Sequence, residues 1–155
     1  MAWSELGQAL QRQGRFNEAE AAFQRSRQAD PAYVKPIVQL AAMSSVEQHW
    51  EEEMKTSEEA VSLHAVDFPA AYFYHAEATF HLGDLKDAER LTREAIEFDP
   101  GGTCPDSHAL LGKILEREGN LRDAMVEYRS YLKAASHGTQ TREVKEALAR
   151  LKRAN

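Results

Sequence analysis

Trp3–Pro31, WSELGQALQRQGRFNEAEAAFQRSRQADP, is the stretch whose reading decides the fold. Trp3, Leu6, Gly7, Leu10, Gly14, Ala19, Phe23 and Pro31 carry its pattern, and one phrase inside it returns twice. Gly14-Arg15-Phe16-Asn17-Glu18-Ala19 comes back as Gly83-Asp84-Leu85-Lys86-Asp87-Ala88 and as Gly119-Asn120-Leu121-Arg122-Asp123-Ala124. Gly83 lies 69 residues after Gly14, two periods of 34 plus one, and Gly119 lies 36 after Gly83. The missing beat is Gln48-His49-Trp50-Glu51-Glu52-Glu53, where Trp50 follows Phe16 by 34 residues. A period of this length means units too small to bury their own apolar face, so each must stack on its neighbours.

Each unit reads as an antiparallel helix pair. In the first, an A helix covers Ala2 to Gln13, Gly14 and Arg15 turn the chain, and a B helix runs from Phe16 to Ala29. Asp30-Pro31 stops it, because proline cannot continue a helix and restricts the residue before it. The repeats are expected at about 1–33, 34–67, 69–102 and 105–138, in one domain, with Asp99-Pro100-Gly101-Gly102 as the strongest stop. The extra residues fall between repeats, near Phe68 and at Thr103-Cys104. A final helix over 139–154, capped by Thr139 or Thr141, carries Val144, Leu148 and Leu151 on one stripe and solvates the end of the stack. No comparable helix precedes repeat one, which predicts a piece cut from a longer protein and an apolar N-terminal face available for self-association.

Small residues set the packing. Gly7, Ala41, Ala76 and Gly112 are placed where A and B helices cross, with Ala19, Ala88 and Ala124 opposite. They let the axes approach to the roughly 8–10 Å of ordinary helix packing. Repeat two departs from this, with Gln48 in the turn-glycine place and Glu53 in the alanine place, and is expected to be the least regular pair. The run Glu51-Glu52-Glu53 otherwise reads as a solvated helix face.

The composition is that of an all-α chain rich in Ala, Leu, Glu, Arg and Gln. A net charge of −6 excludes nonspecific nucleic-acid binding, which depends on basic residues neutralising phosphates. No apolar run approaches the roughly 20 residues of a membrane span. One cysteine, Cys104, excludes an internal disulfide. No phosphate-binding glycine loop, nucleophile elbow or Ser-His-Asp spacing occurs, so an enzyme is not expected and no cofactor is implied.

The spacing of Trp3, Leu6, Gly7, Leu10, Ala19, Phe23 and Pro31 resembles the tetratricopeptide repeat family. The likeness spans about Ala2 to Gly138. The resemblance implies an all-α, right-handed α-solenoid of four helix pairs plus the C-terminal capping helix. It also implies a concave groove, lined by the A helices, that docks a peptide or helix of a protein partner. Phrases such as Asp67-Phe68-Pro69-Ala70-Ala71-Tyr72 are similar to bacterial arrays in exported multidomain proteins, so the compartment is either exported or cytoplasmic. The Lys, Asn and Arg with which chaperone adaptors of the family grip a carboxylate are missing from the corresponding groove places.

Projecting the A helices places Val38 and Ala42 of repeat two in the groove, with Phe73, Tyr74, Glu77, Phe80 and His81 of repeat three. Repeat four adds Leu110, Lys113 and Arg117. The apolar and aromatic members are candidate anchors, since exposed apolar patches and Tyr or Phe side chains mark interaction sites; the alternative is that they pack against neighbouring A helices, as in a structural spacer. Phe73, Tyr74 and Phe80 share one helix and are not expected all to turn inward. Glu77 and His81 are four apart on one face, a spacing that reads as a local charge-assisted contact in preference to a metal site. His75 and His108 replace inward apolar residues and are expected to be core histidines with hydrogen-bond partners.

Overall fold

A computed structural model describes residues 2–135, 137, 138 and 140–154, and within them the chain forms nine α-helices and no strand. They are α1 (Ala2–Arg12), α2 (Phe16–Ala29), α3 (Val34–Val46), α4 (Trp50–Ser62), α5 (Pro69–Leu82), α6 (Leu85–Glu97), α7 (Asp106–Arg117), α8 (Leu121–Ala134) and α9 (Thr141–Ala154). Each odd-numbered helix up to α7 packs on the even one after it, and each even one on the next odd one. The odd helices also meet side by side, α3 against α5 and α5 against α7. The result is an all-α solenoid with the A helices in one row.

The turn inside each pair has one geometry. Arg15 N–H donates to the Leu10 carbonyl, Asp84 N–H to Thr79 and Asn120 N–H to Leu115, closing the end of each A helix. That closure needs a left-handed residue, supplied by Gly14 at φ 73°, Gly83 at φ 100° and Gly119 at φ 84°. Repeat two makes the same bond, His49 N–H to the Ser44 carbonyl, but with Gln48 forced to φ 59°. A side chain in that region clashes with its own backbone. His64, at the end of α4, is the other non-glycine residue there, at φ 54°. Both lie in repeat two, as its departure from the pattern leads one to expect.

The crossing points are as tight as the sequence implies. A Cβ on Gly7 would lie 2.6 Å from the Phe23 ring, and one on Gly112 would lie 2.5 Å from the Tyr128 ring. Ala41, Ala76, Ala19, Ala88 and Ala124 are all fully buried. Glu53 takes the alanine place in repeat two and is 0% exposed, with no conventional donor within reach of either carboxyl oxygen. The solvated reading of Glu51-Glu52-Glu53 therefore holds for the first two only. One step along a helix turns a side chain by about 100°, enough to carry Glu53 from solvent to the interior.

Burial is divided into three clusters: Leu10, Ala22, Phe23 and Leu40 at the start, a middle cluster around Ile37, Phe73, Phe80 and Leu91, and a last one around Leu111, Tyr128, Tyr131 and Val144. Val144, Ala147, Leu148 and Leu151 seal α9 onto the last repeat, while Arg142, Lys145, Glu146 and Lys152 face outward. Of its two expected caps, Thr139 lies outside the described residues, and the Thr141 hydroxyl instead donates to the Ala135 carbonyl at 3.0 Å. At the opposite end Trp3, Leu6 and Phe16 stay 40%, 43% and 55% exposed. Among the described residues no helix is long and apolar enough to cross a membrane.

Candidate functional site

The concave side opens into a cavity of about 520 Å³ between α5, α7 and α9. Its apolar floor is Phe80, Leu110, Val144 and Ala147, with Tyr128 of α8 beneath. Charged side chains ring it, most of them tied to one another. Lys113 Nζ donates to Gln140 Oε1 at 2.8 Å and lies 3.2 Å from the Glu143 carboxylate. Arg150 pairs with Glu116, which also accepts from the Tyr128 hydroxyl at 3.0 Å. Gln140 in turn donates to Asp106 at 3.1 Å.

The other wall is aromatic. His81 stacks on Trp50 with ring centres 3.8 Å apart and planes 8° apart, and meets Phe80 edge-on at 5.3 Å. The Arg117 guanidinium lies over the Phe80 ring, 4.1 Å from its centre. Glu77 accepts a hydrogen bond from the Ser45 hydroxyl at 2.6 Å, joining α3 to α5.

The electrostatics follow from burial. His81 titrates below the usual histidine range, because it is partly desolvated and faces Lys113 and Arg117, with Glu77 opposing them. Asp106 is pushed up by burial and held back by Gln140 and Lys113. Behind the groove, burial and the neighbouring Glu77 raise Glu53 to about 9. Its carboxyl is thus neutral at physiological pH, and in that form it can donate its proton toward Glu77, which accounts for the missing conventional partner.

Six of the candidate residues, Glu77, Phe80, His81, Leu110, Lys113 and Arg117, come together around the cavity. Val38, Ala42, Phe73 and Tyr74 lie outside it, on α3 and the first turns of α5. The expected exposed apolar patch is largely covered: Val38, Phe73, Phe80 and Leu110 are 4–6% exposed and belong to the middle core. The side-by-side packing of the A helices is the cause, since each covers its neighbour's apolar edge. Phe73 and Phe80 do both turn inward, being seven apart on one helical stripe. Tyr74, one step round, is half-buried with its ring against Phe73 at 5.1 Å.

Glu77 and His81 make no direct hydrogen bond or ion pair: Ser45 engages the one and Trp50 the other, and Glu77 acts on His81 only through its charge. Among the described residues no three metal-ligating side chains converge. His75 Nδ1 lies 3.3 Å from the Ser57 hydroxyl and His108 Nδ1 lies 2.7 Å from Glu127, so both have partners. Cys104 is a half-buried thiol that burial pushes up to about 11, far from a reactive thiolate. Projection of the A helices overlooked the α9 wall: Gln140, Glu143, Val144, Ala147 and Arg150. The signal was present, because Gln140 and Arg150 each follow their partners Asp106 and Glu116 by 34 residues, so α9 continues the period as a further A helix.

The family model described as tetratricopeptide repeat matches residues 1–33. No curated protein sequence matches the chain. Solved structures share its shape. MamA is 17% identical with a TM-score of 0.72, over 98% of this chain and 85% of that one. TTC0263, a thermophilic TPR protein of Thermus thermophilus, is 17% identical with a TM-score of 0.71, over 96% of this chain and 80% of that one. The TPR2B domain of yeast Sti1, solved in complex with pHsp70, is 14% identical with a TM-score of 0.67, over 79% of this chain and 98% of that one. The fold they share is one that generally mediates protein–protein interaction. The family model thus matches the first repeat by sequence, and the solved structures share the solenoid fold along nearly the whole length of the chain.

Proposed function

We propose that the concave groove binds a peptide or helix of a protein partner and that the cavity between α5, α7 and α9 takes an anchoring side chain. The observation that carries this reading is the cavity itself: about 520 Å³, floored by Phe80, Leu110, Val144 and Ala147 and ringed by charge. An apolar floor rewards desolvation of a guest side chain, and a polar rim fixes its register. Val38, Ala42, Phe73 and Tyr74 serve beneath and beside the groove, holding α3 and α5 in place. The protein acts as a scaffold, without catalysis.

The test is a titration of the isotopically labelled chain with peptides selected on it from a random dodecapeptide library. Amide shifts clustered on Glu77–His81, Leu110–Arg117 and Val144–Arg150 support the groove. Shifts confined to the outer helices α2, α4, α6 and α8 overturn it.

A second reading, self-association, is favoured by one observation: Trp3, Leu6 and Phe16 are exposed while the far end is closed by the polar outer face of α9. Two copies would then pair face to face through α1 and α2 and not grow into a chain. Sedimentation velocity that stays monomeric at the highest attainable concentration rejects it. So does a dimer that survives Phe16→Glu.

A further inference from the structure

The cations around the cavity are not equivalent. Lys113 is held by Gln140 and Glu143, and Arg150 by Glu116. Arg117 forms no salt bridge among the described residues, although acidic residues outnumber basic ones 25 to 19. An arginine left without a carboxylate in an acidic chain has donors to offer.

Its placement is also fixed. The guanidinium lies over the Phe80 ring at 4.1 Å. Phe80 is only 4% exposed and is braced edge-on by His81, itself stacked on Trp50. Three helices, α4, α5 and α7, therefore hold one side chain in place. Contact with a ring engages the face of a guanidinium and leaves its N–H edge for a planar, two-point contact with an oxyanion. A donor ordered in advance also loses little rotamer freedom when a guest arrives.

We propose that Arg117 receives an aspartate or glutamate side chain of the bound segment, one helical turn or a few residues from an apolar residue seated over Phe80, Leu110, Val144 and Ala147. This rests on the groove reading and names the partner's chemistry: an apolar anchor followed by an acid. His81 joins the same corner. The groups facing it are Glu77 and Phe80 of its own helix, Trp50 of α4, and Lys113 and Arg117 of α7. Without a guest, partial burial and then the two cations disfavour its protonation. A carboxylate guest on Arg117 offsets those cations, so His81 takes up a proton more readily in the complex. By linkage, affinity for an acidic guest then rises as pH falls through the histidine range.

Three displayed dodecapeptide libraries, alike except for a fixed Leu-x-x-Glu, Leu-x-x-Gln or Leu-x-x-Lys core, test this on the full chain. Arg117 is exposed, so Arg117→Gln and Arg117→Glu are expected to keep wild-type helicity. The wild type should bind Glu peptides about 10-fold tighter than Gln peptides, the yield of one charge-assisted pair. Arg117→Gln should erase that preference, and Arg117→Glu should turn it toward Lys. His81→Gln should flatten the pH dependence while keeping the preference for Glu. Equal affinity for Glu and Gln peptides, with amide shifts still in the groove, overturns the acidic-guest inference and leaves the groove reading standing. A Glu preference that survives Arg117→Gln but is lost in Lys113→Gln moves the contact to Lys113 and also overturns it. Absence of groove shifts with every library sinks both.

Discussion

Replacing Glu53 by glutamine should change how the stability of this protein depends on pH. Glu53 is completely buried, and burial together with Glu77 raises its carboxyl from 4.5 to about 9. The unfolded chain releases this proton near 4.5, whereas the native chain keeps it until about 9. Between those values unfolding releases a proton, so each rise in pH favours the unfolded state. The slope for one such group is about 1.4 kcal/mol per pH unit. From about pH 5 to pH 8 the native state therefore loses up to about 4 kcal/mol through this one side chain. Glutamine keeps the shape and, with its amide N–H, imitates the protonated acid facing Glu77, but it does not titrate. His75 and His81 are lowered by partial desolvation and add stability as pH rises through the histidine range. They are common to both proteins and cancel in the difference. Urea unfolding of wild type and Glu53→Gln at a series of pH values should give equal stability near pH 5 and a gap in favour of the variant that widens toward pH 8. Parallel profiles would show that the carboxyl ionises freely in the native state and would refute the reasoning.

Gln48→Gly should stabilise the protein by about 0.5–1 kcal/mol, since it removes a side chain from φ 59° at the modest entropic cost of a glycine; chemical denaturation checks it. Gly112→Ala should destabilise by about 1–3 kcal/mol, because the added Cβ meets the Tyr128 ring at 2.5 Å and the axes of α7 and α8 must part; the same assay reads it. Phe80→Ala should cost about 3–5 kcal/mol as a core deletion, and it should also release Arg117, visible as loss of its ordered guanidinium signals by NMR. Hydrogen exchange should be faster in α3 and α4 than in α5 to α8, since both non-glycine left-handed residues and the buried acid lie there; uniform protection would contradict this.

Much of the fold was legible because its determinants are local. The turn glycines, the stop at Asp99-Pro100 and the small residues at the crossings each act through their immediate neighbours, and a repeating phrase reports them directly. The groove was less so. Projecting one A helix at a time places Phe73, Phe80, Val38 and Leu110 on the concave side but cannot show that α3, α5 and α7 cover one another's edges. Glu53 shows the opposite case: its place in the repeat pointed inward while its acidic neighbours suggested solvent, and place prevailed over composition. The α9 wall followed the same period, but reading that helix only as an end cap concealed its inner face.

Several polar ties between neighbouring units recur at nearly constant separation: Arg27 to Glu59 and Ser45 to Glu77 span 32 residues, and Glu116 to Arg150 spans 34. The first joins α2 to α4 along the outer rim, while the other two join A helices along the inner rim. A coil braced on both rims behaves as a spring, in which shortening one row of ties tightens the curl and lengthening it opens the mouth. The ionic ties weaken with added salt, as surface pairs do, whereas Ser45 to Glu77 carries only one charge and softens less. Added salt should therefore loosen the more exposed Glu116–Arg150 tie first, and the part-buried Arg27–Glu59 tie less, while every helix stays intact.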